Sequence, residues 1–367
     1  MQTIEQATSP RAGGPAGGRR HRRGRYRAGH GIVDGFDPSA PLLEVEHLAV
    51  TFAGERGPIH SVRDVSFTVE AGTITGLVGE SGSGKTVSGL ALLGLHPTDR
   101  TTYGGVVRYR GVDILGRSED ELRDLRGPEI AMIFQEPMTA LNPVRTIGSQ
   151  VSEGILTHTR SGKAAARSAA VEMLGHVGIP EPRRSYDKYP HQLSGGLRQR
   201  AMIAAAIACK PRLLIADEPT TALDVTIQAQ VLRLILGLAQ EDDMAVVLVT
   251  HDLGVIAQVA TNVVTMYAGE VVERGVTADV LQRPRHPYTR RLLEARPSLT
   301  GDGSTLRAIP GSVPSPESTP AGCLFAPRCD IATAACTEGP TALVGDRRDA
   351  VRCIHAAPTE SGSDDDR

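Results

Sequence analysis

The stretch Thr73 to Leu95, TITGLVGESGSGKTVSGLALLGL, constrains this chain more than any other. Thr73 to Val78 is short, apolar and rich in β-branched residues, which predicts a buried strand. Thr86 to Leu95 carries Val87, Leu90, Leu92 and Leu93 among small residues with no Pro, which predicts a packed helix. Between them Gly79-Glu80-Ser81-Gly82-Ser83-Gly84-Lys85-Thr86 matches G-x-x-x-x-G-K-[ST] in full, in the strand-then-helix setting that the pattern needs. Gly79, Gly82 and Gly84 let the backbone turn its N–H groups inward. Those donors and the following helix N-terminus make a nest for phosphates. Lys85 is then placed for the β- and γ-phosphates, and the Thr86 hydroxyl for Mg²⁺.

Composition adds mostly exclusions. Aromatic residues make up 3% of the chain and Trp is absent, which argues against a base-stacking platform, so no nucleic-acid partner is expected. No run of eighteen apolar residues exists, and the start lacks the charged-then-apolar pattern of a secretory signal, so a cytoplasmic location is expected. Residues 11–27 hold seven Arg and no acid, which leaves the rest of the chain at −9. Residues 1–40, containing GRRHRRGRYR amid Gly and Pro, are predicted to be disordered, as is the acidic end 359–367. The basic tail is read as simply solvated, or else as loosely attracted to anionic lipid or nucleic acid.

Around the phosphate loop the chain alternates strands and helices. Leu42 to Val69 shows two stretches of period-two alternation with a turn at Gly54 to Pro58, which predicts an antiparallel pair. Phe52 on the first of these is either an adenine-stacking residue or a core aromatic. Val106–Tyr109 and Val112–Ile114 predict a further hairpin. Ile130 to Phe134 predicts a buried strand ending at Gln135, an amide placed to touch a metal or a water. Helices are predicted over 151–156 and 164–177, the second closed by Gly178 and Pro180. Leu193-Ser194-Gly195-Gly196 then opens a helix to Cys209, with Ser194 as N-cap and paired glycines that leave N–H groups for an anion.

Arg212 to Ala216 predicts a buried strand that delivers Asp217 and Glu218 at its C-terminal end, where ligands bind in open α/β sheets. Two such carboxylates can divide labour, Asp217 toward Mg²⁺ and Glu218 toward a water as general base. Ala245 to Val249 does the same for His251 and Asp252.

These motifs together resemble the nucleotide-binding subunit of ATP-binding-cassette transporters over residues 42–297. GESGSGKT is similar to that family's Walker A loop and LLIADE (213–218) to its Walker B. LSGG (193–196) is similar to the signature, Gln135 to the Q-loop, TALD (221–224) to the D-loop with Asp224, and His251 to the switch histidine. More narrowly, FQEPMTALNP (134–143), YPHQLSGG (189–196), RHPYTRRLLEA (285–295), IPGSVPSP (309–316) and GCLFAPRC (322–329) resemble the oligopeptide/dipeptide importer branch.

The resemblance implies an α/β fold with a P-loop core on a RecA-like parallel sheet. To it belong an N-terminal antiparallel β subdomain, a helical signature subdomain over 136–200, and a Cys-containing C-terminal extension over 298–358. It implies ATP and Mg²⁺ as ligands, with Phe52, Gly79 to Thr86, Gln135, Ser194, Gly195, Gly196, Asp217 and Asp224 at the nucleotide. Thr86, Gln135 and Asp217 are implied on the metal, and Glu218, His251 and Gln135 in catalysis. A second cassette, copy or paralogue, would share the ATP, with two membrane permeases and an extracytoplasmic solute-binding protein completing an importer. The chain would then sit peripherally on the cytoplasmic face of the membrane. Peptides are the favoured cargo, with nickel, glycosides or other small solutes as alternatives. A cassette ATPase of DNA repair would insert a long coiled coil before LSGG and a ribosomal one would carry two cassettes; neither feature is present.

Four of the five cysteines, Cys323, Cys329, Cys336 and Cys353, fall in the extension, separated by five, six and sixteen residues. The Pro-, Gly- and Ser-rich surroundings offer too little apolar sequence for an independent core, so a staple is expected. Disulfides are disfavoured in a reducing compartment, and structural zinc usually shows closer Cys pairs. Four thiolates suit an iron–sulfur cluster, and the resemblance points to [4Fe–4S]. Zinc and four unligated thiols remain the alternatives. The role expected is structural, holding the extension near the partner cassette.

Overall fold

The computed structural model describes residues 35–220, 224–295, 309–317 and 319–356. The basic stretch 1–34, the D-loop residues 221–223 and the acidic end therefore lie outside the described residues. Twelve strands form one curled, mixed sheet: β1 (Leu43–Gly54), β2 (Gly57–Val69), β3 (Ile74–Val78), β4 (Thr101–Tyr109), β5 (Val112–Asp113), β6 (Ile130–Ile133), β7 (Leu213–Asp217), β8 (Ala245–Thr250), β9 (Asn262–Tyr267), β10 (Glu270–Val276), β11 (Val344–Gly345) and β12 (Ala350–Val351). Their order is β5-β4-β1-β2-β10-β9-β3-β8-β7-β6, with β12 paired to both β10 and β11.

The middle of this sheet is parallel, β9, β3, β8, β7 and β6 side by side, and is buried on both faces. Alternation along each strand decides which core a residue joins. Ala131, Ile133, Leu214, Ala216, Val246, Leu248 and Val263 face the helical side. Their neighbours Ile130, Met132, Leu213, Ile215, Val247, Val249 and Val264 face the phosphate-loop helix and the antiparallel strands. This is why these segments read as continuous apolar runs with no polar face.

On the helical side, helices Ile147–His158, Lys163–His176 and Gly195–Ile207 pack through Val151, Ile155, Ala166, Ala170, Leu174 and Ala201. The alanines let the axes approach closely. The antiparallel pair expected over 42–69 is β1 and β2, and the second hairpin is β4 and β5. Register shifts near His47, which takes φ 50°, curl β1 between its two neighbours.

Two local expectations shift. The helix after the loop spans Lys85–Ala91, shorter than the apolar pattern to Leu95. Gly94, at φ 59°, ends it, and the Leu95 N–H returns to the Leu90 carbonyl at 3.1 Å. Phe36, which the composition places in the tail, meets Tyr109 edge-on at 5.2 Å, with the Arg110 guanidinium over its other side.

The extension docks on its own cassette. β12 adds to the edge of β10 through Glu273–Val351 and Arg274–Ala350. Leu324 and Phe325 share one apolar cluster with Tyr267, Val272 and Tyr288 of the cassette. The extension thus shares an apolar core with the cassette. Among the described residues no helix is long and apolar enough to cross a membrane.

Candidate functional site

The phosphate loop leaves β3 at Gly79 and enters the helix at Lys85. Gly79 lies at φ 155°, and a Cβ there would stand 2.2 Å from the Met266 carbonyl oxygen. Gly84 lies at φ 95°, in the left-handed region, with the Ser61 carbonyl 2.9 Å from any added Cβ. Only glycine lets the loop turn this tightly against β9 and β2.

Lys85 is buried and folds back along the loop, its Nζ donating to Gly79 O at 2.8 Å, Glu80 O at 3.0 Å and Ser83 Oγ at 3.4 Å. Burial pulls its pKa below the ordinary lysine value, and the carboxylates of Glu218, Asp217 and Glu80 oppose that pull. The three acceptors fix an ammonium at the mouth of the nest.

β7 and β8 end beside this loop and bring the acidic groups to it. The Thr86 hydroxyl donates to Asp217 Oδ1 at 3.1 Å. Burial raises the Asp217 pKa, the Thr86 hydrogen bond lowers it and the neighbouring Glu218 raises it again. An oxygen pair of this kind, in a place that disfavours its own negative charge, fits a hard divalent cation such as Mg²⁺.

Glu218 takes φ 41°, a left-handed conformation unusual for a residue with a side chain, and its N–H donates to Val249 O at 3.0 Å. Gln135 Nε2 donates to Glu218 Oε2 at 3.1 Å, and His251 Nδ1 lies 3.4 Å from Glu218 Oε1. Residues 135, 218 and 251, far apart in sequence, thus meet over one carboxylate. Strand ends at a single edge of the parallel sheet put them there.

The remaining expected residues lie around this centre. Ser194 is the N-cap of helix Gly195–Ile207, yet its side chain makes no capping hydrogen bond. A Cβ on Gly195 would meet nothing within 4 Å, so this helix end faces open space. Asp224 does cap the helix Val225–Asp242, accepting from Ile227 N at 3.0 Å. Phe52 is part-buried on β1 and meets His96 edge-on at 5.1 Å. Glu80 is the exception among the loop's polar residues, since its backbone and side chain are held from outside the loop. The Glu80 N–H donates to Tyr288 Oη at 2.8 Å, and Arg328 pairs with its carboxylate. Tyr288 falls in RHPYTRRLLEA and Arg328 in GCLFAPRC, but neither stretch signals a contact with the phosphate loop. The PRC of GCLFAPRC hints only that a cation sits beside a cysteine.

Among the described residues no three His, Cys, Asp or Glu side chains stand as a ready set of metal ligands. The iron–sulfur ligand set expected at Cys323, Cys329, Cys336 and Cys353 is therefore not drawn up as such. All four cysteines do line one cavity against Pro287 and Phe325. Cys336 Sγ also lies 3.5 Å from His355 Nε2. Burial raises the thiol pKa of Cys323 and of Cys329.

Fold and site together are those of a P-loop nucleoside triphosphatase. The ABC transporter family matches residues 62–221, and the C-terminal region of oligopeptide/dipeptide transporters matches residues 272–336. A putative peptide import ATP-binding protein of Brucella abortus is 49% identical over 324 residues, covering 88% of this chain and 97% of its own. The dipeptide transport ATP-binding protein of Escherichia coli is 49% identical over 302 residues, covering 82% and 92%. The dimeric, post-hydrolysis structure of the ATP-binding cassette MJ0796 with ADP and Pi aligns with a TM-score of 0.57 at 28% identity, over 64% of this chain and 98% of that one. The chain belongs to the ATP-binding subunits of the ABC transporter family and carries the C-terminal region found in its oligopeptide/dipeptide members.

Proposed function

We propose that this chain is the ATP-hydrolysing subunit of a peptide importer. The observation that carries the chemistry is the convergence of Gln135 and His251 on Glu218, next to the Thr86–Asp217 pair and the phosphate loop. In this reading the loop N–H groups and Lys85 receive the β- and γ-phosphates, and Phe52 receives the adenine. Thr86, Asp217 and Gln135 hold Mg²⁺, which neutralises phosphate charge when bound. Glu218 accepts the proton of the attacking water, and Gln135 and His251 orient that carboxylate toward it. The left-handed backbone at Glu218 supports this assignment, because strain of this kind persists where the surroundings over-determine a residue.

Ser194, Gly195 and Gly196 would serve the nucleotide of a second cassette, copy or paralogue, and Asp224 would line the same seam. An uncapped helix N-terminus facing open space supports that role, since its donors remain to be satisfied. Two membrane permeases and an extracytoplasmic solute-binding protein complete the assembly, with the cassette peripheral on the cytoplasmic side. The names of the relatives support peptide cargo. Affinity purification from the native host tests the assembly. Co-purifying permeases and a peptide-loaded binding protein are expected; a nickel- or glycoside-binding protein would reassign the cargo.

The finer proposal for the extension is a structural [4Fe–4S] cluster on Cys323, Cys329, Cys336 and Cys353. Their shared cavity supports it, and the four-thiol donor set matches the chemistry of such clusters. Anaerobically purified protein should be brown and hold about four irons per chain. Colourless protein without iron would leave the cysteines as packing thiols.

A further inference from the structure

The extension reaches the phosphate loop through one side chain. Arg328 lies in the short 3₁₀ turn Ala326–Arg328, beside Cys329, and its side chain is 4% exposed. It grips Glu80 with two nitrogens, Nη1 donating to Oε2 at 2.7 Å and Nη2 to Oε1 at 3.1 Å. Its remaining donors reach Pro310 O at 2.9 Å, Ile309 O at 3.2 Å and Tyr267 Oη at 3.3 Å. The guanidinium is thus fixed on all sides before it meets Glu80, which is the geometry that makes a forked arginine–carboxylate pair strong. The Glu80 N–H is tied to Tyr288 Oη at the same time, and the Glu80 carbonyl to Lys85 Nζ.

Glu80 poses an electrostatic problem. It places a carboxylate inside a loop whose ligand is a polyanion, close enough to act on the charge of Lys85. In a partly desolvated site that charge opposes phosphate strongly unless a cation cancels it. Arg328 is the cation in forked contact with it. We propose that Arg328 is a positioning residue for the nucleotide: by neutralising Glu80 and clamping it, the extension holds the phosphate loop in its receiving form. This rests on the reading of Gly79 to Thr86 as the phosphate site. It makes the extension a working part of the ATP site, besides any role in docking.

The test is a titration of the full-length protein with a fluorescent ATP analogue and Mg²⁺, beside thermal unfolding of each variant. Arg328→Ala frees the Glu80 charge and the loop, and should weaken binding by about tenfold or more. Glu80→Gln removes the carboxylate while Arg328 stays in place, and it sets the reference for the double variant. The double variant is decisive, because with the carboxylate gone the loss of Arg328 should cost no more than about threefold relative to Glu80→Gln. Loss of a purely structural contact would not be rescued by a second loss. Arg328→Lys, which cancels the charge but cannot grip both oxygens, should fold and lose about threefold. Arg328→Ala binding within twofold of the unaltered protein would overturn the proposal. So would a double variant as weak as Arg328→Ala, or Arg328→Lys as tight as arginine. Failure of the unaltered protein to bind would instead overturn the phosphate-loop reading.

Discussion

Phe325→Ala should loosen the extension without unfolding the cassette. The Phe325 side chain is 1% exposed, and its ring centre stands 5.3 Å from Tyr267, 5.4 Å from Tyr288 and 5.9 Å from His286. Truncating a buried Phe costs about 3–5 kcal/mol, the upper end applying where the surroundings cannot collapse into the hole. They cannot collapse readily here, because Tyr267 belongs to β9 and Tyr288 is held by the Glu80 N–H. The loss falls on the opening equilibrium of the extension, and every 1.4 kcal/mol is about tenfold. Amide hydrogen exchange reads it directly. The Arg352 N–H donates to Val272 O of β10 at 2.8 Å, and this bond breaks when the extension lifts. Exchange at this amide should accelerate by about 10²- to 10³-fold. Amides of β8 should keep their protection. A change below about threefold at Arg352 would refute the shared aromatic core as what holds the extension.

Gln135→Ala and His251→Ala should each depress basal ATPase turnover, because each removes one of the two side chains that orient the Glu218 carboxylate. Basal turnover within about twofold of the unaltered protein in either variant would contradict this role. Stability should fall as pH drops below about 6.5, since burial pushes the His286 pKa from 6.5 down to about 3 and only the unfolded chain takes up that proton in between. The contribution is complete above pH 6.5 and fades toward the folded value, approaching about 1.4 kcal/mol per pH unit. Urea unfolding at stepped pH should therefore show a flatter profile in His286→Asn, and equal slopes would contradict it.

The central sheet and the phosphate loop were legible because their physics is local. A strand buried on both faces must be apolar at every position, as Leu213 to Ala216 and Ala245 to Val249 are. A nest must have glycine where a Cβ would strike the neighbouring backbone, as at Gly79. The carboxylates and His251 were legible as well, since each follows such a strand directly. What sequence could not convey were contacts between distant segments. Arg328 and Glu80 are 248 positions apart, and Tyr288 and Glu80 are 208 apart. Nothing in either neighbourhood encodes the pairing. The docking of the extension is a contact of the same kind: its apolar residues are few, and Leu324 and Phe325 pack with Tyr267 and Tyr288, which the cassette supplies. The tail boundary moved at Phe36 because one aromatic ring on Tyr109 outweighs the polar composition around it.

The most direct test of the account is Glu218→Gln in the assembled transporter. The substitution keeps the side chain's shape and its reach to Gln135 and His251, and removes only the proton acceptor. Single-turnover hydrolysis of Mg-ATP should fall by roughly 10²–10⁴-fold while ATP binding persists and the cassettes stay closed around it. Near-normal hydrolysis in Glu218→Gln would contradict the assignment of Glu218 as the base on which this site is built.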